Sequence, residues 1–491
     1  MDRDCLSHRL CNILHRSPCL RISMARAILA ALSVLLLCGV SLAQLDQPLP
    51  WTQSPPQGRF RVQSQCRLEN LRALEPTERF DAEAGLIEYF AENDEQLECA
   101  GVAVRRTTVA SRGLLLPEYS NAPKLVYILQ GRGYTGALIP GCPESFQSVQ
   151  RQSQQTEERG SERYRDQHQK IREFREGDIL ALPAGVAYWC YNDGETPVIA
   201  IELFDTSNNV NQLDENLRKF QLAGNPRRQS SWAATQQEEK QNKNLFSGFD
   251  LSLLAEVLGV NIETARNIRG ENDNRGSIVF VEGGLRLAIP SATREEEEEQ
   301  QRGSNGLEET LCNTRLRYNI ADPRRADVYS PKGGRITSIN SQKVPILNFL
   351  QLNAEKGVLQ RNAIFAPHWN TNAHSVLYGT RGNARIQIVG NYGRPVYDGE
   401  LRQNQLITIP QNFAVMAQAG DQGFEYISFK TSDNAMMSPI VGKGSVINAI
   451  PESVLMNSYR LSRAEVRRLK DNRRYELGVF EPSQSRGSAS A

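Results

Sequence analysis

The chain has 491 residues, long enough for two or three domains. Lys and Arg number 57 against 56 Asp and Glu, a net charge of +1, which gives no general reason to expect nucleic acid or anionic membrane as a partner. Apolar residues make up 40% of the chain, enough for a folded core, and a charge this near zero favours self-association.

The first predicted element is the apolar run Ala27–Val40, 14 residues long and too short to span a bilayer comfortably. Arg26 precedes it, and Ser41-Leu42-Ala43 follows with small residues at both positions that a signal peptidase reads. This layout predicts a secretory signal starting at Met24 and cut between Ala43 and Gln44, with Met1–Ser23 as an upstream extension. The mature form then has no membrane segment, and secretion permits disulfides. Five cysteines remain after the cut: Cys66, Cys99, Cys142, Cys190 and Cys312. The odd count leaves at least one unpaired within the chain.

Further along, the chain repeats itself. "LVYILQGRGYTGALIPG" (Leu125–Gly141) is similar to "SVLYGTRGNARIQIVG" (Ser375–Gly390). "GDILALPAGVAYWCYNDGETPVIAIELFDTSN" (Gly177–Asn208) is similar to "NQLITIPQNFAVMAQAGDQGFEYISFKTSDN" (Asn404–Asn434). Short apolar and β-branched runs broken by Gly, Pro and Asn predict antiparallel strands closing into a sandwich or barrel. The Gly-x-Gly of "QGRGYTG" (Gln130–Gly136) precedes a strand, not a helix, and predicts a hairpin turn rather than a nucleotide loop. Polar stretches at Ser145–His168, Gly224–Asn244 and Ser291–Gly306 lack apolar periodicity and read as loops. Each repeat closes in helices: Leu253–Arg266 lines up with Val454–Arg467, with Asn261 as a predicted N-cap and Ser462-x-x-Glu465 as a capping box. Helices with an apolar face beyond a closed barrel need the other unit or another subunit to cover it.

Candidate chemistry centres on "IFAPHWNTNAHSVLYGTRG" (Ile364–Gly382), where His368 and His374 lie between predicted strands. Gly177, Pro183, Gly185 and Asn192 match the second motif of the cupin superfamily, which the chain resembles, with Tyr188 at the position of the motif's histidine. That resemblance places the other metal-ligand positions at Pro117, Tyr119 and Lys124 in the first copy. In the second they fall at His368, Asn370, Ser375 and Val415. One imidazole remains in eight positions, and a lysine ammonium repels a cation, whereas a stable site needs three or four converging donors. His374, one residue before Ser375, turns to the opposite face of its strand. The expectation is a vestigial metal site with no cofactor and no catalytic residues. Cys190 shares the inward face of Tyr188 and has no histidine close in sequence, so it reads as a buried inert thiol.

The junction Ser304–Ile336 carries the most specific pattern, Asn-Gly-Leu-Glu-Glu-x-x-Cys at Asn305–Cys312. It resembles the processing junction of legumin-type (11S) seed storage globulins, including cereal glutelins, and the likeness extends over almost all of Gln44–Pro482. The resemblance implies a mainly β bicupin, two antiparallel jelly-roll barrels each followed by a small helical extension. It further implies a storage function, a proprotein trimer in the endoplasmic reticulum, and cleavage between Asn305 and Gly306 by an asparaginyl endopeptidase in the seed's storage vacuole. A hexamer then forms from itself and paralogues. Carried over with it are the disulfides Cys66–Cys99 and, between the cleaved chains, Cys142–Cys312. The expected organisation is residues 1–43 extension and signal, 44–246 first barrel, 247–305 helical extension and acidic loop, 306–482 second barrel with its helices, and 483–491 a tail. The rival readings are a metal-dependent bicupin enzyme of the oxalate-degrading type, disfavoured by the missing ligands, and a carbohydrate-binding cupin, which leaves the Asn305-Gly306 junction unexplained.

Overall fold

The computed structural model describes residue 66 and residues 68–140, 146–148, 165–167, 171–225, 243–287 and 314–481. The predicted signal region, Cys142, Cys312, the Asn305-Gly306 junction and the tail from 483 lie outside them. Among the described residues fourteen strands precede the junction: β1 Glu78–Ala82, β2 Gly85–Tyr89, β3 Val102–Val109, β4 Gly113–Ser120, β5 Lys124–Gln130, β6 Arg132–Leu138, β7 Phe146–Ser148, β8 Arg165–Gln167, β9 Ile171–Arg175, β10 Asp178–Leu182, β11 Ala187–Tyr191, β12 Val198–Asp205, β13 Lys219–Gln221 and β14 Ile278–Phe280. Eleven follow it: β15 Arg317–Asn319, β16 Val328–Ser330, β17 Gly334–Ile339, β18 Asn353–Leu359, β19 Ile364–Asn370, β20 Ser375–Val389, β21 Pro395–Arg402, β22 Leu406–Ile409, β23 Ala414–Lys430, β24 Met437–Pro439 and β25 Val479–Phe480.

The first barrel is two facing antiparallel layers, ordered β1-β2-β3-β12-β5-β10-β15 and β13-β4-β11-β6-β9. The second barrel reaches the same shape with longer strands. β20 pairs β22 and one end of β23 before Gly382, then β21 and the other end of β23 after it, so both layers belong to one continuous sheet. Gly131 has the same place in the first barrel. The expected hairpin there is instead a corner, because β5 and β6 lie in different layers and do not pair. Gly131 turns the corner at φ +90°, where a Cβ would come within 2.9 Å of the Pro197 carbonyl oxygen. Within the Ser145–His168 stretch, expected as a plain loop, the backbone forms a short ladder between β7 and β8.

The helices fall where the apolar periodicity put them. Leu251–Leu258 and Ile262–Arg269 follow the first barrel, and Val446–Ala449, Glu452–Tyr459 and Arg463–Asp471 follow the second. The Asn261 side chain accepts the Thr264 amide at 2.8 Å. Ser462 and Glu465 cap each other's backbone amides, which satisfies two of the otherwise orphaned helix-end donors.

The barrels also exchange arms. Leu71 and Leu74, ahead of the first barrel, donate their amides to the Val396 and Leu406 carbonyls of the second at 2.9 and 2.7 Å. Leu68, Leu71 and Leu74 are buried there. In return β15, placed by the sequence with the second unit, is the edge strand of the first barrel. It pairs with β10 through Asp178–Asn319, Ile179–Tyr318 and Leu180–Arg317, and it buries Leu316 and Ile320. One apolar cluster joins the two barrels: Val104, Leu125 and Leu203, on the sheet face opposite Arg105, Lys124 and Glu202, belong to the same buried cluster as Leu347, Tyr378 and Phe429 of the second barrel. The boundary at 306 is therefore not a packing boundary: the continuous core leaves no seam at which the halves are independent.

Candidate functional site

In the first barrel the metal-ligand positions surround a buried ionic knot. Alternation on β4 turns Glu118 and Ser120 inward. Pro117 and Tyr119, the expected positions, are one residue out of register. Tyr119 faces away and stacks on Phe220 at 4.8 Å between ring centroids. Arg105 of β3 donates to both oxygens of Glu202 on β12 at 2.9 Å, and to Glu118 and the Tyr188 hydroxyl at 2.6 Å. Lys124 reaches Glu202 at 2.7 Å, with its ammonium 3.5 Å from the centre of the Tyr188 ring. Tyr188 donates a short hydrogen bond to Glu118, whose other oxygen accepts from Gln221 at 2.6 Å. All six side chains of the knot, Arg105, Glu118, Lys124, Tyr188, Glu202 and Gln221, are buried.

Two cations face two carboxylates, so the charges cancel inside the apolar barrel. Burial alone would raise the Glu202 carboxyl, but Arg105 and Lys124 outweigh it and hold it down to about 2. The same contest, won by Arg105 and Lys124, lowers Glu118. An ammonium thus sits among the inherited ligand positions, already neutralised by carboxylates. Next to the knot is a small, mostly apolar cavity of about 30 Å³ lined by Val126, Leu180, Cys190 and Glu202 among others. Burial pushes the Cys190 thiol up to about 12, so it offers little thiolate.

The second barrel solves the same problem with different residues. His368, Asn370 and Ser375 face inward as expected and are buried. The Asn370 amide donates to Ser375 at 2.8 Å. Lys430 pairs with Glu355 at 2.8 Å, and the Tyr426 hydroxyl donates to the same carboxylate at 2.9 Å. Strand register sets Glu355 where the first barrel has Arg105, Ser428 where it has Glu202, and Lys430 where it has Phe204. Val415 pairs with His368 and is buried. His374 lies on the other face and accepts the Gln411 amide.

His368 packs against Phe365 at 4.3 Å and donates from Nδ1 to the Ala366 carbonyl at 2.9 Å. Burial pulls its pKa down from 6.5 to about 4. The unfolded chain takes the proton first as pH falls, so stability is full above about 6.5 and is lost on the way to 4. The difference is worth about 3 kcal/mol, from 1.36 kcal/mol for each pKa unit. His368→Gln removes that term. Urea unfolding at pH 7 and at pH 4.5 should show the wild type losing about 2–3 kcal/mol more than the variant between the two. Equal losses would count against a buried neutral imidazole.

Among the described residues no group of three or more His, Cys, Asp or Glu side chains is set to hold a metal ion. The sequence reading missed Arg105, Glu118 and Glu202. The available signal was a charge inside each apolar run, as in "VAVRR" and "IAIELF". Cys66 and Cys99 are joined by a disulfide with Cα atoms 5.2 Å apart, linking the exchanged N-terminal arm to the helix Glu95–Ala100.

The cupin family model matches residues 71–228 and 318–467, one match for each barrel. Cocosin 1 of Cocos nucifera is 50% identical over 461 residues, covering 94% of this chain and 98% of its own. The 11S globulin seed storage protein 1 of Carya illinoinensis is 49% identical over 504 residues, covering 94% and 98%. The crystal structure of the coconut allergen cocosin superposes with a TM-score of 0.74 at 50% identity, over 85% of this chain and all of that one. Fold, repeat and relatives agree that the chain belongs to the 11S, legumin-type seed storage globulins, cupins whose role is storage rather than catalysis.

Proposed function

We propose that this seed storage globulin reaches its stored form by ordered assembly. Its leader is removed after Ala43 and the precursor forms trimers in the endoplasmic reticulum. An asparaginyl endopeptidase then cuts between Asn305 and Gly306 in the storage vacuole, and the cut trimers, of one or several paralogues, pair into hexamers. In this reading residues 44–305 become an acidic chain and 306–482 a basic one, joined by Cys142–Cys312. The protein needs no cofactor, because the vestigial positions Lys124 and Tyr188 are absorbed into the ionic knot.

The observation that carries the self-assembly is the uncovered apolar surface on both helical extensions. Leu253 and Val257 are 58% and 75% exposed in the first, and Val454 and Tyr459 are 48% and 57% exposed in the second. Neither barrel covers them. A second copy of the chain can, through the same pair of surfaces repeated around a closed ring.

The switch is tested by Asn305→Gln. The uncut Glu295–Glu299 tract, tethered at both ends, obstructs trimer pairing mainly by bulk, since exposed charges are screened beyond ~8 Å at physiological salt. The variant should sediment as a trimer and run as one band under reduction. The cut wild type should sediment as a hexamer and split on a reducing denaturing gel into a larger N-terminal and a smaller C-terminal chain. Hexamers of the uncut variant at equal concentration and salt would sink the switch.

A further inference from the structure

Lysine is scarce, 11 residues in the chain, and nine lie among the described residues. Five of the nine sit within 3.2 Å of a carboxylate. Lys470 donates to the carbonyls of Asn448 and Ile450, and Lys243 and Lys443 are exposed to water. Lys219 is different. It is half-buried, and among the described residues its ammonium makes no hydrogen bond or ion pair. Its neighbour is an aromatic face: Nζ lies 4.1 Å from the centre of the buried Tyr89 ring, with Phe80 edge-on to that ring at 5.5 Å.

Strand β13 fixes this placement by pairing Lys219 with Ser120 of β4. Two carboxyl groups act on the same region. Glu78 pairs with Tyr89 in the β1–β2 ladder, and Glu92 accepts a hydrogen bond from the Leu217 backbone. An amine taken out of water without a partner gives up its proton easily. Burial, only partly offset by Glu78, pulls Lys219 down to about 7. Burial and the Glu78 charge push Glu92 up to about 7. The tyrosine ring attracts an ammonium but supplies no hydrogen-bond acceptor in place of water.

We propose that Lys219 is a carbonyl-modification site, a nucleophilic amine that condenses with small aldehydes, including the open-chain form of reducing sugars. The nitrogen lone pair attacks the carbonyl carbon, so a C–N bond forms as the C=O π bond breaks. The oxygen of the resulting carbinolamine leaves as water with the two amine hydrogens, and a C=N bond remains. No oxidant or reductant is needed. A lysine desolvated by apolar surroundings is the kind that forms Schiff bases, and Lys219 as a residue is half-buried rather than sealed from solvent.

The test treats the purified mature protein at pH 7 with glyceraldehyde and sodium cyanoborohydride, which traps the imine as a secondary amine. Peptide mass spectrometry then counts the label at each lysine. About half of a lysine with a pKa near 7 is neutral at that pH, against well under a hundredth of an ordinary one, so Lys219 should label at least about tenfold faster than Lys243 and Lys443. Its rate should level off above pH 8, while theirs should climb to pH 10. Lys219→Arg should remove that label alone. Glu78→Gln, which removes the carboxylate favouring the ammonium, should shift the Lys219 profile to lower pH. Labelling no faster than at the exposed lysines, or a profile that climbs with theirs to pH 10, overturns the proposal.

Discussion

Glu202→Gln is expected to cost the mature chain about 3–5 kcal/mol, among the largest losses available to an isosteric change. The substitution keeps shape and some hydrogen bonding but removes one of two charges that balance Arg105 and Lys124 inside the first barrel. Arg105 is fully buried and Lys124 is 2% exposed, so neither can reach water without opening the sheet. Glu118 remains to balance one cation, and the other is left buried without a counter-charge. The check is urea unfolding of the recombinant mature chain. Glu481→Gln serves as the comparison, because its carboxylate also pairs with a lysine, Lys332, but both side chains are exposed, 53% and 74%; it should cost under about 1 kcal/mol. Adding Lys124→Met to Glu202→Gln restores neutrality, so the double variant should recover a good part of the loss, a coupling of about 2 kcal/mol. If Glu202→Gln costs no more than the Glu481 change, the knot does not stabilise the barrel as described.

The second large effect concerns the cleaved protein under reduction. Once cut at the junction and reduced without denaturant, the two chains should stay together and elute as one assembly on size exclusion, separating only in urea or detergent. The arms explain why. The segment Leu68–Leu74 belongs to the chain before the junction yet is buried against the second barrel, while Leu316 and Ile320, after the junction, are buried in the first. Fully burying an aliphatic side chain is worth about 1.5–3 kcal/mol, and five such residues give roughly 7–15 kcal/mol of gross holding energy before the shared core is counted. Two chains eluting separately after reduction in native buffer would show that the interchain disulfide, not packing, holds the halves. Deleting residues 44–74 should weaken the native association and leave the junction cut unaffected.

Much of the architecture was legible in the sequence, because a tandem repeat states its strand pattern twice and "GDILALPAG" and "NQLITIPQN" align without gaps. The second barrel's inward residues were readable for the same reason. The first barrel's β4 positions were not. The spacing back from Lys124 can be three or four residues, and a one-residue slip reverses every side chain, which moved the reading from Glu118 and Ser120 to Pro117 and Tyr119. The arm exchange left no sequence signal. "RYN" of β15 is three residues with no alternation, and its partner β10 lies 139 residues upstream at the Arg317–Asp178 contact. Lys219 was hidden too, since its neighbour Tyr89 comes from a strand far away in sequence.

The inverted charges of the two barrel interiors bear on how the newly made chain avoids tangling with itself. Two copies of one fold in a single polypeptide can trade strands during folding, a common failure of repeat proteins. Here such a trade is penalised from both sides. If β3 paired with the closing end of β23, Arg105 would take the place of Glu355, facing Ser428 instead of Glu202 and lying beside the Lys430 ammonium that Glu355 now neutralises. If β18 paired with β12, Glu355 would face Glu202, two carboxylates in an apolar interior. Each hybrid barrel would bury like charges, so proofreading of strand partners during synthesis is written into the same side chains that fill the emptied metal sites.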